Sequence, residues 1–392
     1  MKRVTAICLC LLLICSCALA QESVNLGGEG CDQMKYVCTL PDGRLVFCGN
    51  RGTVGNFNDA HARLLCLNPD WTASWEYIDP AEGMARYAFG ALLEDGNIGI
   101  IYYNAPSQNT TALEIRKFTQ EGQPVGEPID LFQRSDNIPD KVNSQWFIQM
   151  MESENGSQIS FLDWNGDVFL SIPAQQGIWV FSALPVDDSI VLAGSEAVSG
   201  GFAKIMKMDR QGRILWETVL PMMNASSESA RIQKCIRTSD GGYLGWMAES
   251  RTDLNRWCYG LIRLNENGRV LWINRESFAD RTNMMCQDLI EYDGKFVFLE
   301  NSDFLDTSEK VPRVYTWFDA DGKELGRTEL WIPRDEIQGI TEDENALIYS
   351  GDMLATEDGL WSLYSVQIQN DKDIRKEMDS LDAILYRVPE PE

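Results

Sequence analysis

A glycine turn followed by a short apolar run recurs along this chain at intervals of about 50 residues. It is clearest in "MDRQGRILWETVLP" at 208–221 and in "LNENGRVLWINRES" at 264–277. Related turns give the series Asp70, Gly122, Gly166, Gly212, Gly268, Gly322 and Asp371, whose successive spacings are 52, 44, 46, 56, 54 and 49. A fixed period in this range is typical of repeat architectures, so it constrains the fold more than any other feature.

A second turn precedes most members of this series by roughly 25 residues. These turns are Gly43, Gly96, Asn155, Asp188, Gly241, Gly294 and Asn345. Asp-Gly and Asn-Gly pairs between apolar or alternating runs are hairpin signals, because glycine accepts the positive φ of such turns. Two hairpins per unit predict four antiparallel strands, and seven such units predict an all-β, seven-bladed β-propeller, with six or eight blades as alternatives.

The predicted propeller is a single domain over residues 21–392. Its blades are expected at approximately 34–80, 84–132, 143–174, 177–222, 229–278, 282–332 and 334–390. A chain of this length has enough residues for the large core that such a domain requires.

The segments "GRILW" at 212–216 and "GRVLW" at 268–272 resemble the repeat of quinoprotein-type (PQQ-like) propellers, in which a docking Trp follows a Gly turn by four residues. The resemblance covers the repeat period along the chain, but the Trp is clear in only two of the seven units. It implies the propeller scaffold without the cofactor, because quinoprotein dehydrogenases need an adjacent cysteine pair that this sequence lacks. We therefore expect no cofactor, and we expect Trp216 and Trp272 to pack between neighbouring blades.

Two closures of the ring are compatible with the C-terminal sequence. Ile374, Met378, Leu381 and Leu385 recur at helical spacing. If that helix forms, the segment at Ser23–Leu26 supplies the missing strand of the last blade. Alternatively, residues 383–388 are themselves the closing strand.

The first 20 residues have the pattern of a secretory signal peptide: two basic residues, an apolar stretch and a small-residue cleavage site before Gln21. No later apolar run approaches the roughly 20 residues of a transmembrane helix. Cys17 lies in a loose lipobox-like context, so lipid attachment is an alternative to simple cleavage. The expected location is outside the cell or in the envelope.

The formal net charge of −25 disfavours binding to nucleic acid, because an acidic surface repels phosphate backbones. Seven cysteines follow residue 20, too few and too scattered for a disulfide framework. Cys48 and Cys66 are the best candidates for a disulfide, because they fall on strands predicted to be neighbours. There is no CxxC pair, and we expect no metal site.

Long connections between the second and third strands converge on one face of the predicted propeller, together with the links between blades. Propellers bind ligands with such loops, since loops carry function on a rigid scaffold. The candidate ligand contacts on this face are Arg51, Asn58, His61, Arg251, Asn255, Arg256, Trp257, Asp303, Asp306 and Asp352. Arg256 and Trp257 are the most suggestive pair, because an exposed Trp beside a guanidinium can stack on a sugar and bind a carboxylate.

No complete catalytic constellation is present in the sequence. His61 is the only histidine, and neither a GxSxG elbow nor a cysteine-based signature accompanies it. The sequence therefore favours a secreted, non-catalytic binding or scaffold module, with a protein, peptide or extracellular glycan as the partner. The alternative is a carbohydrate-active enzyme that uses carboxylates such as Asp303 and Asp306. A purely structural assembly partner is a third hypothesis.

Overall fold

The computed structural model describes residues 23–27, 32–53, 56–81, 84–107, 110–131, 141–153, 156–173, 178–196, 201–220, 222, 227–251, 256–278, 284–302, 310–333, 345–369 and 380–391. Over these residues the chain forms 28 strands and one 3₁₀ turn at Glu276–Phe278. The strands form seven four-stranded antiparallel sheets, which confirms the all-β, seven-bladed propeller. The predicted signal peptide and Cys17 lie outside the described residues.

Each of six blades consists of four strands that are consecutive in the chain. The first strand of each blade lies at the centre of the ring, and the fourth lies at its outer edge. Blade 1 contains β2 (Gln33–Thr39), β3 (Leu45–Thr53), β4 (Asn56–Leu67) and β5 (Ala73–Ile78). Blade 2 contains β6 (Met84–Leu92), β7 (Ile98–Ser107), β8 (Thr110–Phe118) and β9 (Pro124–Asp130). Blade 3 contains β10 (Lys141–Val142), β11 (Trp146–Ser153), β12 (Gly156–Asp163) and β13 (Val168–Pro173).

The second half of the ring has the same plan. Blade 4 contains β14 (Trp179–Val186), β15 (Ser189–Ser195), β16 (Ala203–Asp209) and β17 (Ile214–Leu220). Blade 5 contains β18 (Ser227–Arg237), β19 (Tyr243–Arg251), β20 (Arg256–Leu264) and β21 (Val270–Asn274). Blade 6 contains β22 (Met284–Tyr292), β23 (Lys295–Ser302), β24 (Lys310–Phe318) and β25 (Glu324–Pro333).

Blade 7 combines the two ends of the described chain. It contains β26 (Asn345–Thr356), β27 (Gly359–Gln369) and β28 (Ser380–Arg387), and β1 (Ser23–Asn25) pairs with β28 as the outermost strand. The observed closure combines one feature of each predicted closure. Residues 380–387 are a strand, so a helix through Leu381 and Leu385 is wrong, and yet the N-terminal segment does supply a fourth strand.

The core consists of seven apolar clusters, each shared by two neighbouring blades. The cluster that joins blades 7 and 1 contains Phe47 and Trp361, both at most 2% exposed. Because every joint buries apolar side chains from both partners, the ring is continuous and no blade stands apart.

Three joints share one arrangement, in which a Trp of the outermost strand packs flat on a turn glycine of the next blade. The pairs are Trp75 with Gly122, Trp216 with Gly268, and Trp272 with Gly322, and a Cβ on these glycines would lie only 2.4–2.7 Å from the indole. The turn glycines also have φ near +80°, so both space and backbone conformation exclude other residues. Trp75 is in the same register as the other two, although the sequence repeat is clear only at Trp216 and Trp272.

The two faces of the ring differ in their connections. The hairpin face carries the turns between the first and second strands and between the third and fourth strands, as predicted. The opposite face, called here the loop face, carries the turns between the second and third strands and the links between blades.

In two blades the first hairpin turn is not at the residue predicted from the sequence. Asn155 lies outside the described residues, and the first hairpin turn of blade 3 is at residues 143–145, between β10 and β11. Asn345 begins β26, and the corresponding turn of blade 7 is at Glu357 and Asp358. A local turn signal therefore does not show on which face of the ring the turn lies.

The predicted long connections are shorter than expected, because strands extend into them. Arg51 lies at the end of β3, and Asn58 and His61 lie in β4. Arg251 and Arg256 face each other across the β19–β20 pair. The expectation of irregular loops at these positions is therefore wrong.

The expected disulfide between Cys48 and Cys66 is also wrong, because both are free thiols. Cys48 lies opposite Leu64, and Cys66 lies opposite Val46, so the two cysteines are diagonal neighbours on adjacent strands. Diagonal positions are about 7–8 Å apart, beyond the Cα separation that a disulfide allows.

Candidate functional site

The first strands of the blades line the central channel, where neighbouring first strands contact each other. Six of these seven strands carry a bulge, with the extra residue at Val37, Ala88, Phe181, Gln233, Gln287 and Ser350. A bulge bends its strand and re-aims the neighbouring side chains. The residues around the bulges therefore determine the chemistry of the channel.

Arg231 lies two residues before the bulge of β18, and its guanidinium contacts two aromatic rings. Its Cζ is 4.5 Å from the centre of the Trp257 ring and 5.1 Å from that of Phe181. Phe181 is itself the extra residue in the bulge of β14 and is 39% exposed. The two rings thus belong to neighbouring blades, and their contact with the guanidinium forms what we call the Arg231 clamp (Phe181, Arg231 and Trp257).

The Arg231 guanidinium has no carboxylate partner among the described residues. Its Nε is buried and has no hydrogen-bond acceptor. Burial lowers the pKa of Arg231, and the nearby Tyr259 hydroxyl opposes that effect only in part. Aromatic faces contribute about 0.5–2 kcal/mol to a cation but accept none of its N–H hydrogen bonds. The clamp therefore positions a cation that still needs an anionic acceptor.

Equivalent positions of two other blades also carry cations on aromatic rings. Arg86, two residues before the bulge of β6, lies 5.1 Å from the centre of the Tyr103 ring, and its buried Nε has no acceptor. Burial lowers the pKa of Arg86 as well. Lys35, at the same position of β2, lies 4.1 Å from the centre of the Phe89 ring. In blade 4 the equivalent position, two residues before the bulge of β14, is occupied by Trp179, which is 57% exposed.

The carboxylates of the channel are engaged in internal contacts nearer the hairpin face. Asp288 forms an ion pair with Lys234 and accepts a hydrogen bond from the Met353 backbone N–H at 2.6 Å. Asp352 accepts a hydrogen bond from the Tyr36 backbone N–H, and burial, together with the charge of Asp288, raises its pKa. These carboxylates bind the open edges of first strands in the next blade, so they hold the ring together at its centre.

Among the candidates with described side chains, Arg51 and His61 lie opposite each other on β3 and β4, whereas Trp257 and Asp352 lie in other blades. Arg51 is exposed, and its Nη1 lies 3.7 Å from Glu76 Oε1. His61 Nδ1 lies 3.0 Å from the backbone oxygen of Asp79. Trp257 is in the Arg231 clamp, and Asp352 is in the channel. Asn255, Asp303 and Asp306 lie outside the described residues.

Sequence reasoning placed the guanidinium of Arg256 beside Trp257. The side chain of Arg256 lies outside the described part of the chain, and the guanidinium observed on the Trp257 indole belongs to Arg231 on a different strand. The available signal was a basic residue within the first strand, "SESARIQKCIR". That signal does not reveal the bulge of the neighbouring blade that brings Phe181 to the same place.

No protein-family model matches the chain, and no curated protein matches its sequence. A similar solved structure is Sqt1 from Chaetomium thermophilum, with 12% identity, a TM-score of 0.45, and coverage of 94% of this chain and 100% of that one. Another is the β-propeller domain of the Trilobed protease from Pyrococcus furiosus, with 11% identity, a TM-score of 0.45, and coverage of 89% and 96%. Prolyl oligopeptidase B from Galerina marginata has 12% identity and a TM-score of 0.47 over 93% of this chain, which spans 52% of that protein. This likeness concerns the propeller form alone.

Proposed function

We propose that this propeller is a non-catalytic binding module that takes a carboxylate-bearing ligand at the loop-face end of its channel. The observation that carries the proposal is the Arg231 clamp, in which a guanidinium with an unpaired, buried Nε contacts the rings of Phe181 and Trp257. Fixing the side chain before binding lowers the entropy lost when a ligand is ordered.

The electrostatics of the channel support an anionic ligand. The chain as a whole carries a net charge of −25, yet Lys35, Arg86 and Arg231 occupy equivalent positions near the loop-face end. A ligand carboxylate would supply the acceptors that Arg231 and Arg86 lack, and the exposed Trp179 ring offers a flat surface for a sugar or a side chain.

Calorimetric titration with matched probes tests this function. The acidic probes are a galacturonate trimer and a glutamate tripeptide, and the neutral controls are maltotriose and alanine tripeptide. We expect binding of an acidic probe only, and at least tenfold weaker binding by Arg231→Met, since a hydrogen bond to a charged group contributes about 1.5–3 kcal/mol.

Arg237→Met is the matched control, because Arg237 lies on the same strand but pairs with Asp187 at the hairpin face. It should leave binding unchanged. Equal affinity of the wild-type protein and Arg231→Met for an acidic probe would contradict the proposal. The choice between glycan and peptide follows from which acidic probe binds.

We also propose export from the cytoplasm, on the basis of the predicted signal peptide. The intact mass of the mature protein tests it: cleavage before Gln21 gives one mass, and lipid attachment at Cys17 gives another. An unprocessed protein with Met1 would contradict both forms. Kinship with the quinoprotein-type repeat is likewise a proposal, which rests on "GRILW" and "GRVLW".

A further inference from the structure

A second cavity lies on the hairpin face, at the joint where blade 7 meets blade 1. Its volume is about 770 Å³, and it is lined by both hairpin turns of blade 1 and by the first hairpin turn of blade 7. This size is within the roughly 300–1,000 Å³ typical of ligand pockets. The cavity is on the opposite face from the Arg231 clamp, so the two sites are separate.

The cavity arises because the Trp at this joint comes from the turn itself, where three other joints have a glycine. Trp71 occupies the turn position that is glycine in Gly122, Gly268 and Gly322, and its φ of 66° is that of the glycines. The Trp71 backbone N–H donates to the Asn68 oxygen at 2.9 Å, as Gly122 does to Thr119. The indole therefore projects from the turn toward blade 7 and forms one wall of the cavity.

The lining combines an apolar wall with carboxylates. Pro41, Pro69 and Trp71 form the apolar part, and Glu357 and Asp358 come from the facing turn. Neither of these two carboxylates forms an ion pair with any described residue, whereas Asp42, the third acid of the lining, is paired with Arg44. The described lining contains no basic side chain.

Trp71 packs on a buried Trp of blade 7. Trp361 is 2% exposed, packs on Trp71 with ring centres 4.4 Å apart, and its indole N–H has no hydrogen-bond partner. The apolar wall beside the carboxylates favours a peptide, whose side chains combine apolar stems with charge, over a polyamine that is charged along its whole length.

We propose that this cavity, the joint pocket, binds a basic peptide segment of a partner protein. The alkyl part of an Arg or Lys side chain packs on Trp71 and Pro69, and the ring of Trp71 also attracts its positive charge. The charged group reaches Glu357 and Asp358 on the other blade. The bound peptide spans blades 1 and 7, so it stabilises the joint that closes the ring.

The test titrates the purified protein with the peptide Ac-Arg-Pro-Arg-Pro-Arg-NH2, its citrulline analogue and spermine. We expect the arginine peptide to bind and to raise the melting temperature, and the neutral citrulline analogue to do neither. The double substitution Glu357→Gln, Asp358→Asn should weaken binding at least tenfold. Trp71→Gly should weaken it as well.

The matched control is the double substitution Glu94→Gln, Asp95→Asn, which changes the same residue types in the equivalent turn of blade 2. It should leave affinity unchanged. No binding of the arginine peptide, or equal weakening by both double variants, would overturn the proposal. Spermine binding as tight as the peptide would overturn the assignment to a peptide. Arg231→Met should retain the joint-pocket affinity, which separates this result from the fate of the channel site.

Discussion

The ring of Trp71 lies 4.4 Å from the ring of Trp361, at an interplanar angle of 56°, across the joint that closes the propeller. Trp71 holds a left-handed backbone conformation, which costs an L-residue about 1–2 kcal/mol. The contact with the buried Trp361 offsets this cost. The joint between blades 7 and 1 therefore depends on an aromatic pair where three other joints depend on a Trp packed against glycine.

Replacement of Trp71 by glycine should lower the stability of the protein, although it relieves the backbone. Loss of a packed Trp costs about 3–5 kcal/mol, and relief of the left-handed conformation returns about 1–2 kcal/mol, so we expect a net loss of about 2 kcal/mol. Denaturant unfolding measures it. A double-mutant cycle with Trp361→Leu should show non-additive effects, since the two rings are in contact. Additive effects, or a more stable Trp71→Gly protein, would show that the pair does not hold the joint.

Trp272 should contribute to stability through its contact with the next blade. Trp272→Ala removes the packing on Gly322 and the hydrogen bond from Nε1 to the Ala320 oxygen, so we expect a loss of about 3 kcal/mol. Leu271→Ala is the control, because that side chain is adjacent but 54% exposed, and its replacement should change stability by no more than about 0.5 kcal/mol. Equal unfolding midpoints for the two variants would refute the docking role.

Asp352 should make the stability depend on pH. Burial and the charge of Asp288 raise its native pKa above the ordinary value of 3.8, while Lys35 and Lys234 oppose the shift. The folded state then holds the proton more tightly than the unfolded state does. The contribution of this group to stability is thus greatest below pH 3.8 and falls as the pH rises through the native pKa.

Asp352→Asn should remove this dependence. The variant keeps an acceptor for the Tyr36 N–H, so relative to the wild-type protein it should be more stable at pH 7, with a smaller gain near pH 3.5. Unfolding curves at both pH values measure the difference. A stability difference that is constant with pH would refute the raised pKa.

Four thiols should be unreactive in the folded protein. Burial raises the pKa of Cys38, Cys48 and Cys235 to about 12 and that of Cys66 to about 11, so almost no thiolate forms near neutral pH. Iodoacetamide at pH 8 should modify these thiols only after the protein is unfolded. Mass spectrometry of the digested protein measures how much of each thiol is modified. Rapid native labelling of Cys48, or a Cys48–Cys66 disulfide in the purified protein, would contradict the structure.

The sequence predicted the repeat well because each unit needs a left-handed turn residue, and Gly122, Gly212, Gly268 and Gly322 mark those turns directly. Blade 7 was harder to assign. Its first hairpin turn follows the long strand Asn345–Thr356, and its outermost strand comes from the other end of the chain. No local signal reports such a pairing.

The candidate sites were largely invisible in the sequence for a different reason. The Arg231 clamp needs three residues from two blades, and it depends on two bulges that shift the register of β14 and β18. The role of Trp71 follows from its left-handed backbone conformation, which it shares with the turn glycines of other blades. Single-residue patterns cannot report contacts that arise only when the blades are assembled.

The pairing of β1 with β28 has a mechanical consequence. The strands are antiparallel, with Ser23 opposite Tyr386 and Asn25 opposite Ile384, so the outer ends of both strands leave the ring on the same face. Tension applied through those ends loads the hydrogen bonds one after another instead of all at once. We therefore expect a propeller that is held firmly around its circumference to open at low force when it is pulled by the two strands that close it.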